Sequence, residues 1–264
     1  FFEWGASRSS AAIARIISSA RPGLYESDIM SAMTYRGEPF SYHPILTSGP
    51  DIPNGIRSPT NRIVKLGDAI FATVGMWGGN CGRGGILGTC EDDCHPENAG
   101  FLKQVAIPYW RTVVAWWETV HVGLNGGDVH ERLTEACRTQ GFSPTLGTGH
   151  LIDWEDWPNT PIRQGSNDVI KSGMLFASDI FSDANGPQMI AHCEDTVAVA
   201  DTELRAELAE RHPEVWVRIN TRRRFMREQL GINVLDDLLP FSIAPAYFCP
   251  FWLAPDMALR MRKP

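Results

Sequence analysis

Two apolar runs constrain the fold of this chain more than anything else in it. "SGMLFASDIF" (172–181) and "MIAHCEDTVAVAD" (189–201) read as a pair of strands, and each carries an acid inside an otherwise apolar stretch, Asp179 and Glu194. A carboxylate buried in a strand is costly unless it finds a partner or a polar cavity. The chain must therefore fold so that both acids meet a compensating group, and Arg83 is a candidate. His192 and Cys193, just before Glu194, are assigned to the opposite face of the sheet.

The remaining segments mix helices and strands. Apolar residues at Ala12, Ile13, Ile16 and Ile17 predict a helix over Ser9–Ala20, stopped by Arg21-Pro22-Gly23. Further helices are expected over Glu26–Met33, Phe101–His121 and Asp128–Thr139, with a charged one over Leu204–Leu230 interrupted at Pro213. "DAIFATVGMWGG" reads as a strand running into a glycine-rich turn that includes Cys81 and Arg83. No regular βαβ alternation is present, so the fold class is α+β. Residues 1–201 are expected to form one catalytic-type domain, and 202–264 a helical, then proline- and aromatic-rich, extension packed on it. The opening "FFEWGAS" reads as the continuation of something longer, so an upstream domain is expected.

Charge and cysteine usage exclude several classes. With 31 acids against 24 bases the net charge is −7, which argues against nucleic acid as a partner. The run Arg222, Arg223, Arg224, Arg227 reads as a solvated helix face paired to Glu228 and nearby acids. No stretch approaches the ~20 apolar residues of a membrane span. Six scattered cysteines read as free thiols in a cytoplasmic protein. The C-x3-C-H group of Cys90, Cys94 and His95 lacks a second pair and reads as a solvated loop rather than a zinc site.

Six segments, in order, resemble the superfamily of methionine aminopeptidase, prolidase and creatinase, the pita-bread fold. They are "RPGLYESDI", "TSGPDIPNGIRSPTNRIVKLGDAIFATVG", "VHVGLNGGDVHERL", "GTGHLIDWEDWPNTPI" and the two acid-bearing runs. The resemblance implies a cavity where peptidases bind two metals through two Asp, one His and two Glu. Here the first Asp position falls on Thr73. The second falls in "GGNCGRGGI", which holds no carboxylate, only Asn80, Cys81 and Arg83 as polar candidates. The His position falls on Thr148 counted back from Pro158, or on His150 read from the Gly-His pair; a loop shortened by two residues reconciles them at His150. Asp179 and Glu194 take the last two positions, and the superfamily's proton-handling His falls on Ile56 or Arg57.

Two ions need several anionic oxygens to offset their charge, so the loss of both strand aspartates implies a site without metal or other cofactor. Creatinase, which keeps this fold and cleaves a C–N bond of a small cationic substrate without metal, is the precedent within the superfamily. The expected catalytic groups are His150, Glu194 and Asp179. Arg83 would hold a substrate carboxylate. Asp153 and Glu155, read as alternate residues on one strand face, would bind a cationic end. Trp77, Trp154 and Trp157 would wall it. The primary expectation is a creatinase-like, metal-independent hydrolase of a small molecule or short peptide, acting as a homodimer. A metal-dependent Xaa-Pro aminopeptidase using His150, Asp179 and Glu194 is one alternative. A catalytically inactive binding domain is the other.

Overall fold

The computed structural model describes residues 1–54, 56–154, 159–182 and 191–262. Its helices are α1 (Phe2–Ser19), α2 (Glu26–Ser31), α3 (Ile107–Thr119), α4 (Gly126–Thr139), α5 (Thr202–Arg211) and α6 (Pro213–Phe225). Its strands are β1 (Ile45–Ser48), β2 (Ala69–Met76), β3 (Gly79–Ile86), β4 (Pro144–Leu151), β5 (Leu175–Ser182), β6 (His192–Val199) and β7 (Leu238–Pro240). They form one sheet in the order β1-β2-β3-β6-β5-β4, with β7 also pairing β6. Every pairing is antiparallel.

Side-chain alternation along the strands divides the core. From β2, Ile70, Ala72, Val74 and Met76 pack with Ala12, Ile13, Ile16 and Ile17 of α1. Ala69 and Phe71 belong to the other core, with Tyr109, Trp110, Trp116 and Trp117 of α3 and Val129, Leu133 and Cys137 of α4. The sheet is thus covered by α1 and α2 on one face and by α3 and α4 on the other. Asn125 caps α4, its side chain accepting from the backbone of Gly127.

The expected glycine-rich turn is instead β3, a central strand with all eight residues buried. The turn itself is only Trp77-Gly78, with Gly78 at φ 87. Glycine is depleted in strands in general, but close approach demands it here. A Cβ on Gly79 would lie 2.3 Å from the backbone of Ala6 in α1. Helix α1 begins at Phe2 rather than Ser9, because Gly5 and Ala6 continue its buried stripe against this strand.

Two further expectations change. The strand expected to carry Asp153 ends at Leu151, and the chain bends at Asp153 and Trp154. The arginine run is not a solvated face paired to Glu228. Arg222 and Arg223 are buried, Arg222 on Glu3 and Arg223 on Asp236, and Arg227 also reaches Asp236. These contacts, with β7 on β6, seat α6 and the following chain against α1 and the sheet.

Candidate functional site

Cross-strand register builds the site. Thr73, Gly82 and Glu194 face one another across β2, β3 and β6, and Phe71, Gly84 and His192 form the next such row. Asp179 from β5 and His150 from the end of β4 complete the cluster. His150 Nε2 stands 3.5 Å from Asp179 Oδ2 and 4.0 Å from Glu194 Oε1. His192 Nε2 stands 3.7 Å from Asp179 Oδ1 and 3.7 Å from Glu194 Oε2. Each histidine thus approaches a different oxygen of each carboxylate. His150, Asp179 and Glu194 open into a cavity of about 320 Å³ that is also lined by Tyr42, His43, Ile45, Ile56, Phe71, Thr73 and Phe181. A second cavity, of about 360 Å³, lies on the α1 side of the sheet; Cys81 and Arg83 are the only ionisable groups of β3 in its lining.

Local backbone aims these groups. The β4–β5 register shifts between Thr148 and His150, and the intervening Gly149 has φ 114. Such a bulge re-aims the side chain that follows it. His150 therefore reaches the cavity while Thr148 stays buried, its carbonyl accepting from Trp116 Nε1. His150 Nδ1 lies 3.0 Å from the Leu151 carbonyl. With the proton on Nδ1, that contact leaves the Nε2 lone pair toward the carboxylates. Glu194 is steadied by Thr73, whose hydroxyl is 3.2 Å from Oε2 and 2.5 Å from the Tyr42 hydroxyl.

Several expected site residues lie elsewhere. Arg83 is on the opposite face of the sheet, where its guanidinium contacts both oxygens of Asp195 and the carbonyls of Gly82, Glu194, Ala244 and Tyr247. Its donors are committed inside the protein, so it holds neither substrate nor the carboxylates of Asp179 and Glu194. Burial pushes the neighbouring Cys81 thiol well above its ordinary range despite Arg83, which leaves a protonated, inert thiol. Trp77 and Trp154 are exposed and pack edge-to-face at 5.5 Å, outside the cavity lining. Asp153 is exposed after β4, also outside that lining. Glu155 and Trp157 lie outside the described residues.

His192 lies on the same face of the sheet as Glu194, not on the opposite one. Residues two apart in a strand share a face, so it accompanies Glu194, and only Cys193 points away. That parity was present in the sequence. Tyr42 and His43, in "SYHP", come from the segment before β1, and nothing in their spacing placed them over the sheet.

The five-donor, two-metal set implied by the resemblance does not fit this site. Thr73 offers only a hydroxyl and Gly82 no side chain. One ion does fit: His150, Asp179 and Glu194 offer ligand atoms that all lie within 4.8 Å of one another. An imidazole with two carboxylates suits a first-row divalent transition metal.

An antiparallel sheet between helix pairs, with a histidine and two acids converging on one face, is the pita-bread arrangement. The chain belongs to metallopeptidase family M24, whose model matches residues 5–201. Among solved structures it is similar to a prolidase from Pyrococcus horikoshii OT3, at 14% identity and TM-score 0.63 over 75% of this chain and 58% of that one. It is also similar to an Xaa-Pro dipeptidase from Bacillus anthracis, at 19% identity and TM-score 0.63 over 76% and 57%. An X-Pro aminopeptidase from Thermotoga maritima MSB8 matches at 17% identity and TM-score 0.61 over 76% and 57%. The chain therefore spans a little over half the length of these proteins, and at such identities the likeness is one of fold. None of the curated proteins compared with it matches. Among the described residues, no helix is long and apolar enough to cross a membrane.

Proposed function

We propose that the chain is a metal-dependent hydrolase of the aminopeptidase and prolidase type, cleaving an amide C–N bond of a short peptide. The observation that carries this reading is the convergence of His150, Asp179 and Glu194 at the cavity floor. A divalent ion held there would polarise the scissile carbonyl and acidify a water molecule. The protein's own groups do the rest. Thr73 and Tyr42 fix the orientation of Glu194. Ile45, Ile56, Phe71 and Phe181 supply apolar walls that fit a compact ring such as that of proline. His43, exposed in the cavity lining, offers an imidazole to protonate the leaving nitrogen. The names of the similar solved structures make Xaa-Pro dipeptides the first substrates to try.

The absence of carboxylates at Thr73 and Gly82 favours a second reading, a creatinase-like hydrolase that works without metal. There His150 moves the proton while Asp179 and Glu194 hold a cationic substrate. One experiment separates the two. Chelator-treated protein is assayed on Xaa-Pro dipeptides with and without added Mn²⁺, Co²⁺ or Zn²⁺, and its metal content is measured. Metal-dependent turnover that is lost in His150→Gln supports the first reading. Undiminished turnover at well under one equivalent of bound metal overturns it. A homodimer accompanies either reading, and light scattering at the mass of one 29.3 kDa chain would remove it.

A further inference from the structure

Helix α1 covers the face of the sheet away from Asp179 and Glu194, and the stripe it leaves unburied carries Arg8 and Arg15. Their spacing puts them two turns apart on one side of the helix. Both reach the loop that follows α2. Arg15 Nη2 donates to the Met33 carbonyl at 2.6 Å, at the start of that loop. Arg8 Nε donates to Glu38 Oε1 at 2.8 Å, at its end. Arg36 rides between them, its backbone N–H donating to Glu38 Oε2 at 2.8 Å while its side chain stands exposed.

The charges here do not balance. Three guanidinium groups share the one carboxylate of Glu38, which leaves two positive charges in excess within a chain of net charge −7. Arg15 Nε is buried without a hydrogen-bond partner. Among the described residues, the Arg36 guanidinium has neither a hydrogen bond nor an ion pair. Buried donors are nearly always satisfied, and one that is not calls for a partner. Burial first, then the charges of Arg8 and Arg36, draws the Arg15 guanidinium below its ordinary value, and Glu38 only partly offsets them. The loop holds this arrangement at a cost in backbone strain. Thr34, which is β-branched, has φ 59, and Gly37 has φ 93. Strain of this kind collects at ligand-binding segments.

We infer that Arg8, Arg15 and Arg36 form a binding site for the phosphate group of a small molecule. A dianionic phosphate matches the two excess charges, whereas a single carboxylate would neutralise only one. Planar guanidinium forks take phosphate oxygens in pairs, a geometry that lysines lack. Arg15 Nε reaches the ligand by a shift of its side chain, since no hydrogen bond holds that nitrogen where it stands. The site lies apart from the cavity of His150, Asp179 and Glu194, so it stands or falls independently of the proposed reaction.

The test is calorimetric titration of sodium phosphate into the chelator-stripped full chain, at about pH 8, where the dianion dominates. Sodium chloride at matched ionic strength is the control. The wild type should bind phosphate in a single saturable step, and phosphate should raise its melting temperature more than chloride does. Arg36→Gln, at an exposed position, should melt as the wild type does without phosphate and lose affinity roughly ten- to a hundredfold, as the loss of a hydrogen bond to a charged group does. Arg15→Gln should weaken binding likewise, and Arg36→Lys should restore only part of it, because it keeps the charge without the fork. His150→Gln should bind phosphate as the wild type does. No saturable binding, a chloride effect of equal size, or undiminished binding in folded Arg15→Gln and Arg36→Gln overturns the phosphate site. Binding lost in His150→Gln but kept in the arginine variants puts the phosphate in the other cavity and overturns it as well.

Discussion

Thr73 shows how one side chain can keep a site organised where an acid is missing. Its hydroxyl lies within hydrogen-bonding distance of Tyr42, the Cys81 carbonyl and Glu194. A hydroxyl has one proton to give and two lone pairs to receive with, so it can accept from Tyr42 and donate to an oxygen beside it. Removing it while keeping the shape isolates that contribution. Thr73→Val should lower stability by about 1–2 kcal/mol, the usual worth of buried hydrogen bonds left unmade. It should also weaken metal binding by roughly tenfold, because Glu194 loses a group that orients it. Denaturant titration and calorimetry read the two effects separately. Unchanged zinc affinity would make Thr73 a packing residue only.

At the scale of elements, the sheet's two faces have different tasks, and β3 divides them. Cys81 and Arg83 point toward α1, where Arg83 and Asp195 form a buried cross-strand pair. Gly82 and Gly84 point toward the acids and contribute space. The bulge in β4 is the second device. Gly149 combines φ 114 with tight surroundings, since a Cβ would meet the Ala177 carbonyl at 2.9 Å and Trp116 Nε1 at 3.0 Å. Gly149→Ala should therefore cost about 1–3 kcal/mol in backbone strain. It should also displace His150, so that zinc affinity falls further than the stability loss alone would explain. A variant that lost stability but bound zinc as before would show that the bulge does not aim the histidine.

At the scale of the whole molecule, the first helix and α6, some two hundred residues apart in sequence, are clamped through one acid. Glu3 in α1 accepts from Arg218 and pairs with Arg222, both in α6. Burial alone would raise the Glu3 carboxyl, but the two guanidinium groups outweigh it and hold it below its ordinary value of 4.5. Burial draws Arg222 down somewhat, yet it stays charged wherever Glu3 titrates, so the pH response is that of Glu3. A carboxyl held low in the folded state stabilises fully above its unfolded value, and that contribution is lost as pH falls through the folded one. Glu3→Gln should cost about 1–3 kcal/mol at pH 7, within the range for a hydrogen bond to a charged group. It should also flatten the loss of stability below pH 4.5. Thermal melts of both proteins across the acid range measure this, and parallel pH profiles would show that the clamp contributes nothing.

Much of this architecture was legible in the chain itself. The pita-bread fold was legible only through the resemblance of six segments, in order, to a known superfamily, whereas the order of apolar and helical segments reads as α+β, because hydrophobic period and turn chemistry are local properties. Asp179 and Glu194 could be placed in the sheet for the same reason: an acid inside an apolar strand has nowhere else to go. Residue spacing alone could also have put His192 beside Glu194. What lay across from them was decided only by the tertiary structure. Strand register sets which residues of distant segments meet, and register follows from helix packing, as Gly79 on Ala6 illustrates. Hence Arg83, close to the expected site in sequence, serves Asp195 behind the sheet. Tyr42 and His43, in an irregular segment with no periodicity to read, arrive over the cavity. A side chain's face is a matter of parity along its own strand, whereas its partner is a matter of how the whole sheet assembles.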